Sequence, residues 1–450
     1  MEQKAFLGTA CHAPSRDRLE VLRDTLIVVG DDGVIAAIHE PGTGAAEQFR
    51  AAGRLTVLEP GQVLLPGLVD LHVHAPQWPQ LGKALDVPLE VWLQKYTFPL
   101  EARYADIEFA AAIYESLVAS LLANGTTTAL YFATIHLPVT RLLADICLRR
   151  GQRALIGRVA MDDPNQCPAT YRDASAESAE ADTRAFIDHA RALAGNESGL
   201  IRPVITPRFI PSCTDDLLRR LGALARETGC HVQTHCSESD WEHGFVQGRC
   251  GVSDTMALDR FGLLSRRTVL AHGNFLGDAD FDRIRERGAG VAHCPLSNVY
   301  FANAVFPLRH ALDRGVHVGL GTDIAGGASP SIFDSARHAV TVSRALESGV
   351  DPALPPGKRG GRPGARITAT EAFWLATAGG GEALDLPIGQ FRPGWQFDAI
   401  AVDTNAPNSN LRIYPGNTDE DVLQKVVHNA GRSDIAAVWV AGRQVQGQIE

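Results

Sequence analysis

The sequence predicts an α/β fold, namely a (β/α)8 barrel of the TIM type with a small β-sandwich domain formed by the two ends of the chain. Eight short apolar, often β-branched runs alternate with helix-length segments in the middle of the chain. Histidine or aspartate closes several of these runs, as expected at the carboxyl ends of barrel strands. Both ends of the chain contain short strands and turns. We therefore expect a barrel over 66–384 and a discontinuous β-domain over 1–65 plus 385–450.

The middle of the chain supplies the strands and helices of the predicted barrel. Helix-like segments lie between the runs, for example at 106–123, 215–228 and 278–287. Alternation of this kind is typical of parallel sheets built from βα units. The eight strands are expected at 63–74, 126–132, 153–160, 201–208, 231–235, 268–272, 289–294 and 316–322.

The two ends of the chain carry the signals of the small β-domain. Apolar runs at 26–29 and 34–38 flank a Gly-Asp-Asp-Gly turn, which predicts a β-hairpin. Further strands are expected at 397–403 and 435–440. Thr368 is placed to cap a helix that has a glutamate in its first turn.

Composition and charge exclude several classes of protein. The 450 residues carry a net charge of −10 and no long run of Lys and Arg, which argues against a nucleic-acid partner. No stretch of about 18 apolar residues predicts a membrane span, and the first residues show no secretory signal. The eight cysteines include no Cys-x-x-Cys pair. A reduced, cytoplasmic protein is therefore expected.

Histidines at the ends of several strands predict a metal site. His72 and His74 are separated by one residue, so both side chains project to the same side of a strand. This pair alone is better explained as two core histidines or two polar surface residues. However, His235, His272 and Asp323 close three other predicted strands. Burying this many ionisable groups together without a cation is costly, so we expect a divalent ion at the mouth of the barrel.

The types of ligand restrict the metal. Histidine and carboxylate ligands with an open position favour zinc or a similar divalent ion, which lowers the pKa of a coordinated water. Some barrels of this kind hold two metals bridged by a modified lysine on the fourth strand. The predicted fourth strand, 201–208, contains no lysine. We therefore expect one Zn²⁺ per chain.

The motifs resemble those of a known family. PGLVDLHVH at 66–74, His235, His272 and GTD at 321–323 resemble the amidohydrolase superfamily. Leu71 and Cys236 depart from the family pattern, but only at spacer positions. A narrower resemblance, to the guanine deaminases of that superfamily, rests on HAPQ at 74–77, WLQKYTFP at 92–99, TPRF at 206–209, HCPLSN at 293–298 and GTDIAGG at 321–327.

This resemblance implies a function and a set of site residues. The reaction would be the hydrolysis of guanine to xanthine and ammonia by a cytoplasmic homodimer that acts in purine breakdown or salvage. Glu238 would shuttle protons, Asp323 would accept a proton from the water, and His272 would hydrogen-bond that water or adjust its basicity. The metal ligands would be His72, His74, His235 and Asp323, and the substrate contacts would be Gln77, Arg208, Phe209 and His235.

Chemistry supports these roles, but simpler interpretations remain open. A guanidinium at Arg208 can donate two parallel hydrogen bonds to O6 and N7 of guanine, whereas a structural salt bridge is the alternative. Glu238 follows His235 by three residues and suits general acid–base work, although a surface carboxylate is the default. Phe209 is either a stacking ring or plain core. The segment 92–98 is either a lid over the site or helix packing.

Two other functions compete with the deamination of guanine. A related deaminase or chlorohydrolase acting on a pterin or triazine ring would use the same metal residues, and only Gln77, Arg208 and Phe209 favour guanine over it. A metal-free barrel that binds a partner is a different class. Such a protein is expected to have lost metal ligands, and here all of them are present.

Overall fold

Two sheets contain the strands of the protein. The structure is a computed structural model that describes residues 3–447. Eight parallel strands form the wall of a barrel, and eight others, drawn from both ends of the chain, form a mixed sheet. The fold predicted from the sequence is confirmed.

Strands and helices alternate through the barrel, while strands predominate at the two ends. The strands are β1 (Lys4–Ser15), β2 (Arg18–Val29), β3 (Ile35–His39), β4 (Leu55–Val57), β5 (Gln62–Pro66), β6 (Leu68–His74), β7 (Thr126–Phe132), β8 (Arg153–Ala160), β9 (Ile201–Pro207), β10 (His231–Cys236), β11 (Thr268–His272), β12 (Gly290–His293), β13 (His317–Leu320), β14 (Ala399–Asp403), β15 (Ile435–Val440) and β16 (Arg443–Gly447). The α-helices are α1 (Ala45–Ala51), α2 (Leu89–Trp92), α3 (Phe98–Ala102), α4 (Ile107–Ala123), α5 (Leu137–Arg150), α6 (Ala176–Arg191), α7 (Asp215–Thr228), α8 (Asp240–Cys250), α9 (Asp254–Arg260), α10 (Asp278–Arg287), α11 (Pro295–Ser297), α12 (Leu308–Asp313), α13 (Ile332–Ser348), α14 (Ala369–Ala376), α15 (Ala378–Ala383) and α16 (Asp419–Asn429). Short 3-10 turns occur at Ala75–Gln80, Arg103–Ala105, Ile210–Ser212 and Arg432–Asp434, and π turns at Leu93–Thr97 and Asn298–Ala302.

The ends of the helices follow from local sequence signals. Thr214 caps α7 by accepting a hydrogen bond from the Leu217 backbone N–H, and the helix ends at Gly229, where φ is +64°. Thr368 and Glu371 form a reciprocal capping box at the start of α14. The predictions at 215–228, 278–287 and Thr368 are therefore confirmed.

One predicted strand is wrong in its extent. The run at 63–74 is two strands, because β5 pairs in the mixed sheet and β6 in the barrel. Gly67 separates them and lies so close to Thr127 that a Cβ there would stand 2.1 Å from the Thr127 Oγ1. Glycine permits this approach, so the chain can pass from one sheet directly into the other.

The barrel closes at the end that carries the candidate site. The strand order runs from β6 to β13 in sequence, and each strand pairs in parallel with the next. Beyond the end of β13, Val73 and Ile324 form a parallel bridge that joins the first strand to the last. The backbone N–H of Asp323 donates to His72 O at 2.8 Å, and that of His74 donates to Ile324 O at 2.9 Å. Residues from the two ends of the sheet thus become neighbours.

The mixed sheet is strongly curled. It contains the predicted hairpin, formed by β2 and β3, and the C-terminal strands β14 to β16. Two strands separate β15 from β1, so these strands would lie about 14 Å apart in a flat sheet. Yet the rings of Phe6 and Trp439, one on each strand, have centroids 5.4 Å apart. The sheet therefore folds over a shared aromatic core.

Two further properties concern the described part of the chain. Within residues 3–447, no helix combines the length and the apolar character needed to cross a membrane. All eight cysteines are free thiols, and seven of them are buried. This arrangement agrees with cysteines that serve as small apolar side chains.

Candidate active site

Four strand ends bring the predicted metal residues together. His72 and His74 lie at the end of β6, and His235 lies near the end of β10. His272 closes β11, and Asp323 follows β13. All five side chains are buried, at 8% exposure or less. The structure therefore brings together the residues that were expected at the ends of the predicted strands.

The candidate ligand atoms lie at short distances from one another. His74 Nε2 lies 3.0 Å from His235 Nε2. His72 Nε2 lies 3.2 Å from Asp323 Oδ1, and His74 Nε2 lies 3.6 Å from the same oxygen. In a tetrahedral site with Zn–N distances of 2.0–2.1 Å, ligand atoms are separated by roughly 3.3 Å. The observed separations bracket that value, so these residues fit a zinc ion.

Hydrogen bonds behind the cluster orient two of the imidazoles. His235 Nδ1 lies 2.5 Å from Arg208 O, so its Nδ1–H donates to that carbonyl and the Nε2 lone pair points to the cluster. His272 Nδ1 lies 2.9 Å from Asn298 Oδ1 and leaves Nε2 facing Glu238 and Asp323. A hydrogen-bond partner on the far nitrogen is the usual arrangement for a histidine that binds a metal.

Several buried ring nitrogens in the cluster have no hydrogen-bond partner among the described residues. Both ring nitrogens of His72, Nδ1 of His74 and Nε2 of His272 are buried without a hydrogen bond among the described residues. Buried polar groups are rarely left unsatisfied. A cation and its water, bound between these side chains, would satisfy the nitrogens that face the cluster.

Burial controls the protonation of the cluster. Burial, followed by repulsion from neighbouring histidines, lowers the pKa of His72, His74 and His235 well below the usual value, so these rings are neutral and can coordinate a metal. Burial also raises the pKa of Asp323 to about 6. Burial and then the charge of Asp323 raise the pKa of Glu238 well above its usual range. A group that holds a proton near neutral pH suits general acid–base work.

Asp70 holds the first and last strand ends in register. Its Oδ1 accepts hydrogen bonds from the backbone N–H groups of Thr322, at 3.0 Å, and His72, at 3.2 Å. Its Oδ2 accepts the Thr322 hydroxyl at 2.6 Å. Asp70 is fully buried, and burial raises its pKa to about 7. The carboxyl group therefore holds the backbone of the candidate ligand His72 and of Thr322, which precedes the candidate ligand Asp323.

A small cavity opens above the cluster. Glu238 lines it, with a carboxylate oxygen 3.7 Å from His272 Nε2. Hydrogen bonds from the Glu238 N–H to Glu242 and from Asn274 to the Glu238 carbonyl fix its backbone. The lining residues are His74, Gln77, Leu89, Trp92, Leu93, Arg208, Phe209, His235, Glu238, Phe301, Asp323 and Gly326.

The predicted substrate contacts share that cavity, but Arg208 also makes the salt bridge named as its alternative. Its Nη1 donates to Glu101 Oε2 at 2.6 Å, and its Nη2 donates to Glu101 Oε1 at 3.1 Å. Gln77 Nε2 donates to the same carboxylate at 2.9 Å. Phe209 lies at the cavity wall, with its ring 5.9 Å from that of Trp241.

The segment 92–98 forms part of the cavity wall. Trp92 and Leu93 line the cavity, and the Trp92 ring lies 5.1 Å from that of Phe301 on the opposite π turn. Phe98 lies under the guanidinium of Arg208, with 5.0 Å between the Arg208 Cζ and the ring centroid. The buried sides of these residues pack in one apolar cluster with Phe132. The segment is therefore packed against the site.

Sequence reasoning missed three polar residues around the site. Asp70 precedes His72 by two positions, so strand periodicity places it on the same side as both histidines and was a usable signal. Asn298 stands in the HCPLSN motif but was given no role. Glu101 lies in a short helix beside other charged residues, and the sequence contains no signal of its burial.

Comparisons with known proteins agree with this geometry. The Amidohydrolase family model matches residues 63–445. The guanine deaminase of Homo sapiens is 38% identical, over 98% of this chain and 96% of that protein. The crystal structure of guanine deaminase from C. acetobutylicum with bound guanine has a TM-score of 0.86 and 29% identity, over 98% of this chain and 100% of that one. An adenosine deaminase from Xanthomonas campestris with bound zinc has a TM-score of 0.80 and 27% identity, over 98% and 92% of the two chains.

The resemblance inferred from the motifs is thereby confirmed. A family model that spans most of the chain, and a relative of similar length that matches from end to end, agree with each other and with the fold. The chain belongs to the amidohydrolase family and is a hydrolase of the group that contains these guanine deaminases.

Proposed function

We propose that this protein is a zinc-dependent guanine deaminase that converts guanine and water to xanthine and ammonia. One observation carries the proposal: a single cavity brings Glu238 and the histidine–aspartate cluster together with Gln77, Arg208 and Phe209. The first group suits hydrolysis, and the second suits a flat ring with polar edges. The guanine bound in the related crystal structure supports the same choice of substrate.

His72, His74, His235 and Asp323 would hold the zinc ion. When bound, the ion would supply a water whose pKa is lowered towards neutrality. Asp323 would accept one proton of the attacking water as the water adds to C2 of the ring. Glu238, which burial keeps protonated, would deliver its proton to ring nitrogen N3. The ionised Glu238 would then take the remaining proton of the new C2 hydroxyl and pass it to the departing amine, and the proton held by Asp323 would return Glu238 to its starting state. Water adds, the C2–N bond breaks and ammonia leaves, so the atoms balance.

The orientation of the ring follows from the positions of the donors. C2 and N3 must face Glu238 and Asp323 on the floor of the cavity. The opposite edge of guanine, with its O6 and N7 acceptors, then faces the side where Arg208 and Gln77 donate. Phe209 and Trp92 supply apolar walls for the faces of the ring.

Substrate and metal assays test the proposal together. Purified protein should contain close to one zinc per chain and should consume guanine much faster than adenine, cytosine, a pterin or an amino-triazine. If the protein turned over a pterin or a triazine but not guanine, that ring would replace guanine as the proposed substrate. Protein without tightly bound metal that turns over none of these rings would support a binding barrel instead.

Assembly and location belong to the same proposal. The resemblance implies a homodimer, which light scattering on the purified protein tests directly. A cytoplasmic protein is consistent with eight free cysteines. Fractionation of cells that express the full chain tests the location.

A further inference from the structure

Glu101 is a buried carboxylate at the edge of the cavity. It lies on α3 and is fully buried. Its two oxygens accept hydrogen bonds from Arg208 at 2.6 and 3.1 Å and from Gln77 at 2.9 Å. It therefore contacts both of the polar residues that are proposed to contact the substrate edge.

Gln77 is fixed from both ends of its amide. While Nε2 donates to Glu101, Oε1 accepts the backbone N–H of Ala325 at 3.1 Å. Ala325 follows the candidate ligand Asp323 by two residues. The amide thus has one defined orientation, and the second N–H of Nε2 remains for another acceptor.

The contact with Glu101 determines which N–H groups of Arg208 remain free to bind a substrate. Glu101 takes one hydrogen from each terminal nitrogen of the guanidinium. In the part of the chain that the structure describes, Arg208 donates side-chain hydrogen bonds only to Glu101. The parallel pair that remains free consists of Nε–H and the second hydrogen of Nη2. Stacking of the guanidinium over Phe98 limits its rotation.

Charge in this corner of the cavity is balanced. Burial opposes the charge of Arg208, but the carboxylate of Glu101 beside it keeps the pKa of the guanidinium above its ordinary value. Arg208 and Glu101 are therefore a neutral pair overall. A pair that offers directed donors but carries no net charge is better suited to bind the acceptor edge of a neutral ring than to bind an anionic ligand.

We propose that Glu101 is a positioning residue that aims Arg208 and Gln77 at adjacent ring acceptors, and so sets the selectivity of the site for a neutral purine with acceptors at positions 6 and 7. This inference rests on the proposed function. Because Glu101 occupies the Nη1–Nη2 pair of Arg208, the substrate is expected to contact the Nε–H and Nη2–H pair instead.

Glu101→Gln tests the proposal, with Asp398→Asn as the matched control. Asp398 is likewise buried, and it accepts hydrogen bonds from Arg153 at 2.8 and 3.1 Å, where β8 meets the mixed sheet. Both substitutions remove one buried negative charge beside an arginine. Steady-state kinetics with guanine and 7-deazaguanine, zinc content and melting temperature are measured for each variant.

The expected pattern separates positioning from stability. Glu101→Gln should raise KM for guanine about 10-fold or more and change kcat by less than about 3-fold, with zinc retained. The wild-type preference for guanine over 7-deazaguanine, which lacks the N7 acceptor, should be about 10-fold and should fall close to 1 in this variant. Asp398→Asn should lower the melting temperature while KM and this preference stay at wild-type values.

A second variant keeps the test decisive if Glu101→Gln does not fold. Glu101→Asp retains the charge but draws the carboxylate back by one methylene, so KM and the preference should be intermediate. Unchanged KM and preference in a folded Glu101 variant would overturn the proposal, as would a fall in zinc content and kcat alone. A wild-type protein that deaminates another ring but not guanine would overturn the proposed function first.

Discussion

His74 Nε2 lies 3.0 Å from His235 Nε2, although 161 positions separate the two residues in the chain. Because His235 Nδ1 donates to Arg208 O, its Nε2 presents a lone pair to His74. Burial keeps both rings neutral by lowering the pKa of each well below the usual value. A cation bound between them would satisfy the lone pairs on both rings together with the Asp323 carboxylate. The closure of the barrel therefore brings two candidate metal ligands from distant parts of the chain within coordination distance of one ion.

Removal of the metal should abolish turnover and destabilise the fold. A ligand that binds only the folded state at 100 times its Kd stabilises it by about 2.7 kcal/mol, so chelated protein should melt at a lower temperature. Calorimetry with and without added zinc measures this shift. His74→Ala should lose the response to zinc. His189→Ala, which changes a partly buried histidine of α6 outside the cluster, should keep it. A verified metal-free protein with unchanged melting temperature and activity would contradict the assignment.

Glu238→Gln should retain zinc and lose turnover. The amide keeps the size of the side chain and the backbone contacts with Glu242 and Asn274, but it cannot exchange a proton. The loss in kcat should be about 10²- to 10⁴-fold, the usual contribution of a positioned acid–base group. Metal analysis and steady-state kinetics on the same preparation check both statements. Wild-type turnover in this variant would exclude Glu238 from proton transfer.

The sequence predicted the barrel and the location of the site because both depend on periodic signals. Alternating βα segments fix the barrel, and polar residues at the ends of strands fix the cluster. The contacts of Arg208 were not predictable in the same way. Its partner Glu101 lies 107 positions earlier, on a short helix whose burial depends on how the loop after β6 folds back. The split at Gly67 was missed because it depends on the nearby Thr127 side chain.

Asp70→Ala should weaken metal binding without removing a ligand. The substitution leaves the N–H groups of His72 and Thr322 and the Thr322 hydroxyl without their acceptor. Loss of such supporting contacts typically weakens metal affinity by about 10- to 100-fold. Competition with a chromophoric chelator measures the affinity. Asp70→Asn keeps one oxygen for the two N–H groups, so it should stay near wild type; an equal loss in both variants would assign the effect to charge.

His231 should make the stability of the protein depend on pH below neutrality. This histidine begins β10, at the end of the barrel away from the site, and is 5% exposed. Burial lowers its pKa to about 4, against the partial opposition of a hydrogen bond at 2.8 Å to Leu384 O. In the unfolded chain the pKa is about 6.5, so between these values the unfolded state binds a proton that the folded state excludes. The free energy of unfolding should therefore fall as the pH falls from 6.5 to 4.

The size of this effect follows from the separation of the two pKa values. At about 1.4 kcal/mol per pH unit, the interval from 6.5 to about 4 corresponds to about 3 kcal/mol. The glutamine of His231→Gln can donate to Leu384 O but does not titrate. Between pH 7 and pH 4 the variant should therefore lose about 3 kcal/mol less free energy of unfolding than the wild type. Urea unfolding of both proteins in the presence of a chelator separates the effect from release of the metal. Equal pH dependence in the two proteins would mean that His231 is protonated in the folded state as readily as in the unfolded chain.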